Sequence, residues 1–259
     1  MPIFSTMNTQ EVPMRITVVV GAAGGIGSAI AEALLESGDF VYLFDLEASR
    51  GRLVSILDRW PDRSAFVSCD LASSTSIDQA FANVADESGR LDACVNAAGV
   101  IRRERFVDVN RHDLEAVMAV NVTGAYLALQ AATRLMTANG GGRLVTIASA
   151  HGLRTTAERS SYAMSKGAIL ALTRALAVEL GPQGILVNAV APGPVSAGMQ
   201  DAQSESRRLW QAATPLGRVA KASEVAQAAV FLASASNTFI SGDTLIVDGG
   251  ASAALGQPG

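Results

Sequence analysis

The chain has 259 residues and 26.7 kDa, with 49% hydrophobic residues, 17% charged residues and a formal net charge of −4. This excludes intrinsic disorder, which needs low hydrophobicity and high net charge, and the 24 Gly and 8 Pro lack the period of a collagen-like or low-complexity chain. A pI near 5.2 argues against a nucleic-acid or anionic-membrane partner, which would need a basic face.

Short β-rich runs alternate with longer helical patterns along the chain. Residues 1–14 read as an N-terminal extension without the basic start and apolar run of a signal peptide. Arg15–Val20 reads as a strand, followed by a Gly-rich turn and a helix through Ala31–Ser37. Phe40–Asp45 is the next strand, with a helical stretch near Arg50–Trp60. Further strands at Ala65–Cys69, Ala93–Asn96, Leu144–Ser149, Ile185–Val190 and Thr244–Val247 alternate with helices near Ser76–Glu87, Asp113–Met136, Ser161–Leu180 and Ser223–Ala233. Such alternation predicts an α/β fold, a parallel seven-stranded sheet with helices on both faces, because parallel strands need crossover connections. Several strands are apolar throughout, as burial on both faces requires.

No linker divides the chain, so residues 15–259 read as one domain. A long irregular segment at about 193–218, with a helical piece at Glu205–Ala213, is the expected lid. No apolar stretch approaches the roughly 18 residues of a membrane span, and the expectation is a cytoplasmic protein with neither a membrane nor a nucleic-acid partner. Cys69 and Cys94 have no metal or redox spacing and read as buried strand thiols. His112 and His151 are far apart, so no metal is expected.

Gly21, Gly25 and Gly27 stand between the first strand and its helix with the spacing G-x-x-x-G-x-G. Glycines there permit a tight turn and close approach of backbone to a pyrophosphate, and the helix N-terminus supplies N–H donors and a positive dipole. Asp45 closes the second strand 20 residues after Gly25, where a carboxylate accepts hydrogen bonds from ribose hydroxyls. A 2′-phosphate would meet that like charge with no cation adjacent, since Leu46 and Glu47 follow and Arg50 and Arg52 fall on a solvated helix face. NAD is therefore the expected cofactor rather than NADP.

Tyr162 and Lys166 lie four apart on one face of a helical pattern. With three tyrosines and two lysines in 259 residues, a chance Tyr-x-x-x-Lys is about a 2% coincidence, so a functional pair is the stronger reading. A phenol with pKa near 10 becomes a usable base beside an ammonium and a nicotinium ring. It then takes a proton from an alcohol as hydride leaves, or returns it in reduction. Ser149 ends a strand 13 residues before Tyr162 and would face the crevice, its hydroxyl toward the reacting oxygen.

On these motifs the sequence resembles the short-chain dehydrogenase/reductase family from Arg15 to Gly250. The resemblance implies a single-domain Rossmann-type, doubly wound fold. It implies that Asp70-Leu71 borders the adenine and that Asn96-Ala-Ala-Gly99 is the turn beside the cofactor. Ser149, Tyr162 and Lys166 match the catalytic serine, base and lysine, the lysine also binding the nicotinamide ribose. Asn121 matches the helix asparagine that holds a proton-relay water. Asn188, Pro192 and Gly193 match the segment leading to the nicotinamide, and Asp248-Gly-Gly250 the C-terminal signature. The expected cofactor contacts are then Gly21, Gly25, Ile26, Gly27, Asp45, Leu46, Asp70, Leu71, Asn96, Ala97, Gly99, Tyr162, Lys166, Pro192, Gly193 and Val195. Two positions depart from the pattern: Val20 replaces a common threonine before the first glycine, and Ala197 replaces a threonine that touches the nicotinamide amide, with Ser196 beside it.

The family fixes a reaction class and leaves the substrate open. Val100-Ile-Arg-Arg-Glu-Arg105 reads either as a solvated charge cluster or as placing a guanidinium, Arg102 or Arg103, near the crevice to pair with a carboxylate, and Gly99-Val-Ile-Arg-Arg103 resembles the stretch of gluconate-type sugar-acid dehydrogenases. His151 is a candidate pocket residue, Arg154, Glu158 and Arg159 make the loop before Tyr162 polar, and Trp210 is a candidate lid cover. The expected substrate is a small polar secondary alcohol such as a polyol or sugar acid. The alternatives are a 3-oxoacyl thioester reductase and a non-catalytic dinucleotide sensor. The resemblance implies a homotetramer or homodimer, and Asp113–Met136 and Ser161–Leu180 carry apolar residues beyond one stripe.

Overall fold

The computed structural model describes residues 14–196 and 211–254. β1 (Ile16–Val20) is buried along its whole length. Successive side chains of a strand point to opposite faces, so Val18 and Val20 enter one hydrophobic cluster and Val19 another. β2 (Phe40–Asp45) divides in the same way, Tyr42 and Phe44 to one side, Val41 and Leu43 to the other. Strands apolar on both faces need cover on both, and the helices supply it.

β1 pairs in parallel with β2 and with β4 (Ala93–Asn96). Beyond β2 lies β3 (Ser64–Ser68), and beyond β4 lie β5 (Gly142–Ile147) and β6 (Ile185–Pro192). A separate parallel pair joins β7 (Val195–Ser196) to β8 (Ala220–Lys221), and β9 (Thr244–Val247) closes the main sheet against β6. The seven-stranded order is β3-β2-β1-β4-β5-β6-β9, all pairings parallel. On one face, α3 (Ser74–Ser88), α5 (Ala125–Ala138) and the C-terminal half of α6 (Ser160–Leu180) pack Ile77, Phe81, Leu129, Met136 and Leu180. On the other, α1 (Gly25–Glu36) and α7 (Ala222–Ala233) pack Ile30, Leu34, Val225 and Leu232. The strand order turns back between β1 and β4, and such a switch opens a crevice beyond the strands' carboxyl ends.

The fold is the doubly wound sheet expected, and Phe40–Asp45, Ala93–Asn96 and Thr244–Val247 keep their expected limits. Three differences have physical causes. The helix expected over Asp113–Met136 divides into α4 (Arg111–Met118), a π-type turn over Ala119–Gly124, and α5. At Gly124 a Cβ would lie 2.2 Å from the Leu71 carbonyl oxygen, so backbone meets backbone where the turn widens. The whole run Arg111–Ala138 is long and apolar enough to cross a membrane by composition, which corrects the expectation that no stretch approaches that length. Here Ala125, Ala128, Leu129, Ala132 and Met136 bury one side of it within the fold. The third difference is the β7–β8 pair, too short to carry a sequence pattern.

Residues 1–13 of the expected extension and 197–210 of the expected lid, with Ala197 and Trp210, lie outside the described residues. Cys69 and Cys94 are buried and free, and burial pushes both thiols up to about 12. Both stay protonated at neutral pH.

Candidate active site

The glycine turn leaves β1 with Gly21 at φ +79°, in the left-handed region that glycine tolerates. A Cβ on Gly21 would lie 2.6 Å from the Ala98 backbone, and one on Gly27 would lie 2.0 Å from the Gly21 carbonyl oxygen. Side chains are therefore excluded where the turn meets the β4 loop. Gly24 caps α1 with no side-chain hydrogen bond, so the first N–H groups of the helix are not taken by a capping side chain. This cradle fits an anionic pyrophosphate.

Asp45 ends β2 beside the turn, its Oδ2 accepting from Ala23 N at 2.9 Å and its Oδ1 from Leu46 N at 2.8 Å. These bonds fix the carboxylate, and each oxygen keeps a further lone pair. The nearest arginine in sequence, Arg50, stacks 5.4 Å over the Phe66 ring and lies 3.8 Å from Glu47. Asp70 is exposed and braces its own loop through Ala72 N, while buried Leu71 packs on Gly124. Buried Asn96 accepts from Ala98 N at 3.2 Å and so holds the turn after β4.

Ser149 follows β5 in extended conformation, and its hydroxyl accepts from His151 N at 3.2 Å. Tyr162 and Lys166 stand one turn apart on α6. Burial raises the Tyr162 phenol pKa above its ordinary value, opposed by the neighbouring Ser149 hydroxyl and by the charge of Arg159. Buried Lys166 donates from Nζ to the Ile147 carbonyl at 2.8 Å and sits 5.8 Å from the Tyr162 ring centre. Loss of hydration lowers its pKa to about 8. Gly99 is the reason the ammonium has room, since a Cβ there would come within 3.2 Å of Nζ.

The π-type turn brings Asn121 inward. Its Nδ2 donates to the Val100 carbonyl at 2.9 Å and to Ser165 Oγ at 3.0 Å, and its Oδ1 accepts from Val100 N at 2.8 Å. Asn121 therefore braces the loop after β4 against α6. Asn188 performs a similar task elsewhere, tying β6 to the loop before β9 through Ile240 and Asp243.

Ser149, Tyr162 and Lys166 open onto a cleft of about 560 Å³ whose described walls include Ile26, Ala97, Gly99, Pro192, Gly193 and Val195. Six of the expected cofactor residues thus share a space with the reactive group. His151 lines the same cleft, its ring edge-on to Tyr162 at 5.9 Å and its Nδ1 3.0 Å from Thr155 Oγ1. Burial and the charges of Arg159 and Arg103 lower its pKa, which favours the neutral imidazole. Arg102 is exposed, lies 3.8 Å from Asp113 and is not among the described residues that line the cleft. Arg103 does line it, with Arg154 and Arg159. Sequence reading marked Arg159 as polar loop and missed its burial; its position three residues before Tyr162 was the available signal.

A phenol, a hydroxyl and a buried ammonium at the mouth of a dinucleotide cradle supply what an oxidoreductase needs to move a proton at an alcohol or ketone. A family model described as enoyl-(acyl carrier protein) reductase matches residues 21–252. A 3-oxoacyl-(acyl-carrier-protein) reductase of Aquifex aeolicus is 34% identical over 239 residues, covering 91% of this chain and 96% of the relative. An NAD-dependent glycerol dehydrogenase of Listeria innocua is 32% identical over 238 residues, covering 91% and 93%. Among solved structures, a gluconate 5-dehydrogenase from Burkholderia cenocepacia in complex with NADP and tartrate superposes with a TM-score of 0.87 at 30% identity, covering 93% of this chain and 96% of that one. The chain belongs to the short-chain dehydrogenase/reductase family and is an oxidoreductase acting on alcohol and ketone groups.

Proposed function

We propose that the chain uses NAD to interconvert a small polar secondary alcohol, a polyol or sugar acid, with its ketone. The observation that carries the reading is the Ser149–Tyr162–Lys166 group opening onto a wall that holds Arg103, His151, Arg154 and Arg159. The glycerol dehydrogenase relative supports a polyol-sized substrate and NAD. The Burkholderia structure holds NADP, so the cofactor assignment here rests on Asp45 and on the commitment of Arg50 to Glu47 and Phe66.

Gly21, Gly25, Gly27 and Asp45 would hold the adenosine and pyrophosphate, and Gly99, Lys166, Pro192 and Gly193 the nicotinamide side. When bound, the dinucleotide supplies the hydride acceptor or donor. Tyr162 takes the proton of the substrate hydroxyl in oxidation and returns it in reduction. Ser149 orients the reacting oxygen through the hydroxyl that meets the phenol. Lys166 places a charge near the phenol and favours its ionised form. Asn121 holds the Gly99–Val100 backbone in place, and the spare lone pair of its Oδ1 is open to the water-linked proton path that the resemblance implies.

The Aquifex relative favours a second reading, reduction of 3-oxoacyl thioesters. Formation of reduced dinucleotide across a panel of polyols, sugar acids, short hydroxy acids and 3-hydroxyacyl thioesters separates the two. Turnover within the first three groups with NAD is expected; turnover of thioesters alone would establish the second reading. We also propose a symmetric homotetramer or homodimer, supported by exposed Val178, Phe231, Phe239 and Ile246. Light scattering that returns a single chain mass would overturn that assembly.

A further inference from the structure

Arg159 is the N-cap residue of α6 and is buried, with 6% of its surface exposed. Its Nε has no hydrogen-bond partner among the described residues, and its Nη1 reaches the Glu158 carbonyl only at 3.5 Å, the outer limit of a hydrogen bond. A buried guanidinium left in that state costs free energy unless a ligand or partner completes it. Glu158, just before it, has φ +60°, the only non-glycine residue with positive φ among those described. Strain of this kind persists where the surroundings over-determine it, and it clusters at functional sites.

The same loop recruits a second guanidinium. Glu104 N donates to the Glu158 carbonyl at 3.3 Å, which joins the segment after β4 to the loop before α6. Arg103 thereby reaches the same wall as Arg159, close enough that each charge acts on the other and on His151. Like charges held together in a cleft call for an anion. Among the described residues, Asp113 lies beside Arg102, Asp108 beside Arg105, and Asp248 accepts from Gly250 N and Ser252 N. Among the described residues, neither Arg103 nor Arg159 has an ion pair. Glu158 is exposed, and its charge acts on Arg159 without closing to ion-pair distance.

We infer that the substrate carries a carboxylate, seated on Arg159 and flanked by Arg103, close to the carbon that Tyr162 serves. The inference rests on the proposed reading of the site as a polar-alcohol oxidoreductase and narrows it to hydroxy acids and their keto acids. Arg159 precedes Tyr162 by three residues, so the carboxylate lies within a few carbons of the reacting hydroxyl. Guanidinium–carboxylate recognition is charge-assisted and directional, and a neutral terminus leaves the arginine incomplete.

The test uses tartrate and threitol, which share a four-carbon diol skeleton and differ in carboxylate against hydroxymethyl ends. Calorimetry on the NAD-loaded full chain is expected to show tartrate binding at least about tenfold tighter than threitol. Arg159→Gln and Arg103→Gln are each expected to reduce that ratio by about tenfold or more, the scale of one charge-assisted hydrogen bond. Arg159→Lys should restore part of it, which a merely structural role at the N-cap would not require. Arg102→Gln, outside the cleft, should leave the ratio unchanged. Equal binding of the two probes by the wild type, or an unchanged ratio in both Arg159→Gln and Arg103→Gln, would overturn the inference. Tyr162-dependent turnover of neutral polyols with no preference for acids would overturn this inference alone. Absence of any Tyr162-dependent turnover would overturn the reading beneath it.

Discussion

Tyr162→Phe is expected to lower kcat by about 10³-fold, within the range that a positioned general acid–base group contributes. The substitution keeps the ring that packs edge-on against His151 and removes only the hydroxyl that meets Ser149. Dinucleotide affinity and melting temperature should therefore stay near wild type. The direction of the pH dependence follows from ionisation. Oxidation needs the phenolate, and burial holds the phenol above its ordinary pKa in the cofactor-free chain, so kcat/KM for oxidation should rise through the alkaline range. Reduction needs the protonated phenol and should fall over the same range. Rate profiles in both directions would check this, and a variant retaining more than about a tenth of wild-type activity would assign the proton transfer to another group.

Asp45→Asn carries the second large effect. The asparagine keeps an oxygen for Ala23 N or Leu46 N, so the glycine turn should survive, while the negative charge is lost. Hydrogen bonds to a charged acceptor are worth about 1.5–3 kcal/mol, so NAD affinity should fall about 10- to 100-fold. Relief of like-charge repulsion should at the same time strengthen NADP binding, and the NAD-to-NADP preference should shift by about 10²-fold. Titration of both dinucleotides against wild type and variant reads this directly. An unchanged preference would mean that Asp45 braces the turn and does not select the ribose.

The strands were legible because their signals are local. Val18-Val-Val20 and Phe40–Asp45 are apolar runs that end in a glycine turn and a carboxylate, and such runs leave few alternatives to a doubly covered parallel strand. Tyr162 and Lys166 were legible because helical spacing is itself a statement about proximity. What was hidden depends on contacts between distant segments. The π-type turn at Ala119–Gly124 ends where Gly124 meets the Leu71 backbone, a contact that no window around residue 120 contains. The choice between Arg102 and Arg103 was likewise invisible, since adjacent residues were separated only when Asp113 lay beside one and the Glu104–Glu158 bond placed the other at the cleft. Burial of Arg159 is of the same kind: a charged loop residue reads as solvated until the fold closes over it.

The most direct measurement follows the hydrogen itself. A hydroxy acid that the enzyme turns over is prepared with deuterium on its carbinol carbon, and the NAD product is examined by mass spectrometry. The account predicts one deuterium per reduced dinucleotide, delivered by wild type and lost with turnover in Tyr162→Phe. Deuterium released to solvent, or reduced product that forms equally well without the Tyr162 hydroxyl, would contradict it.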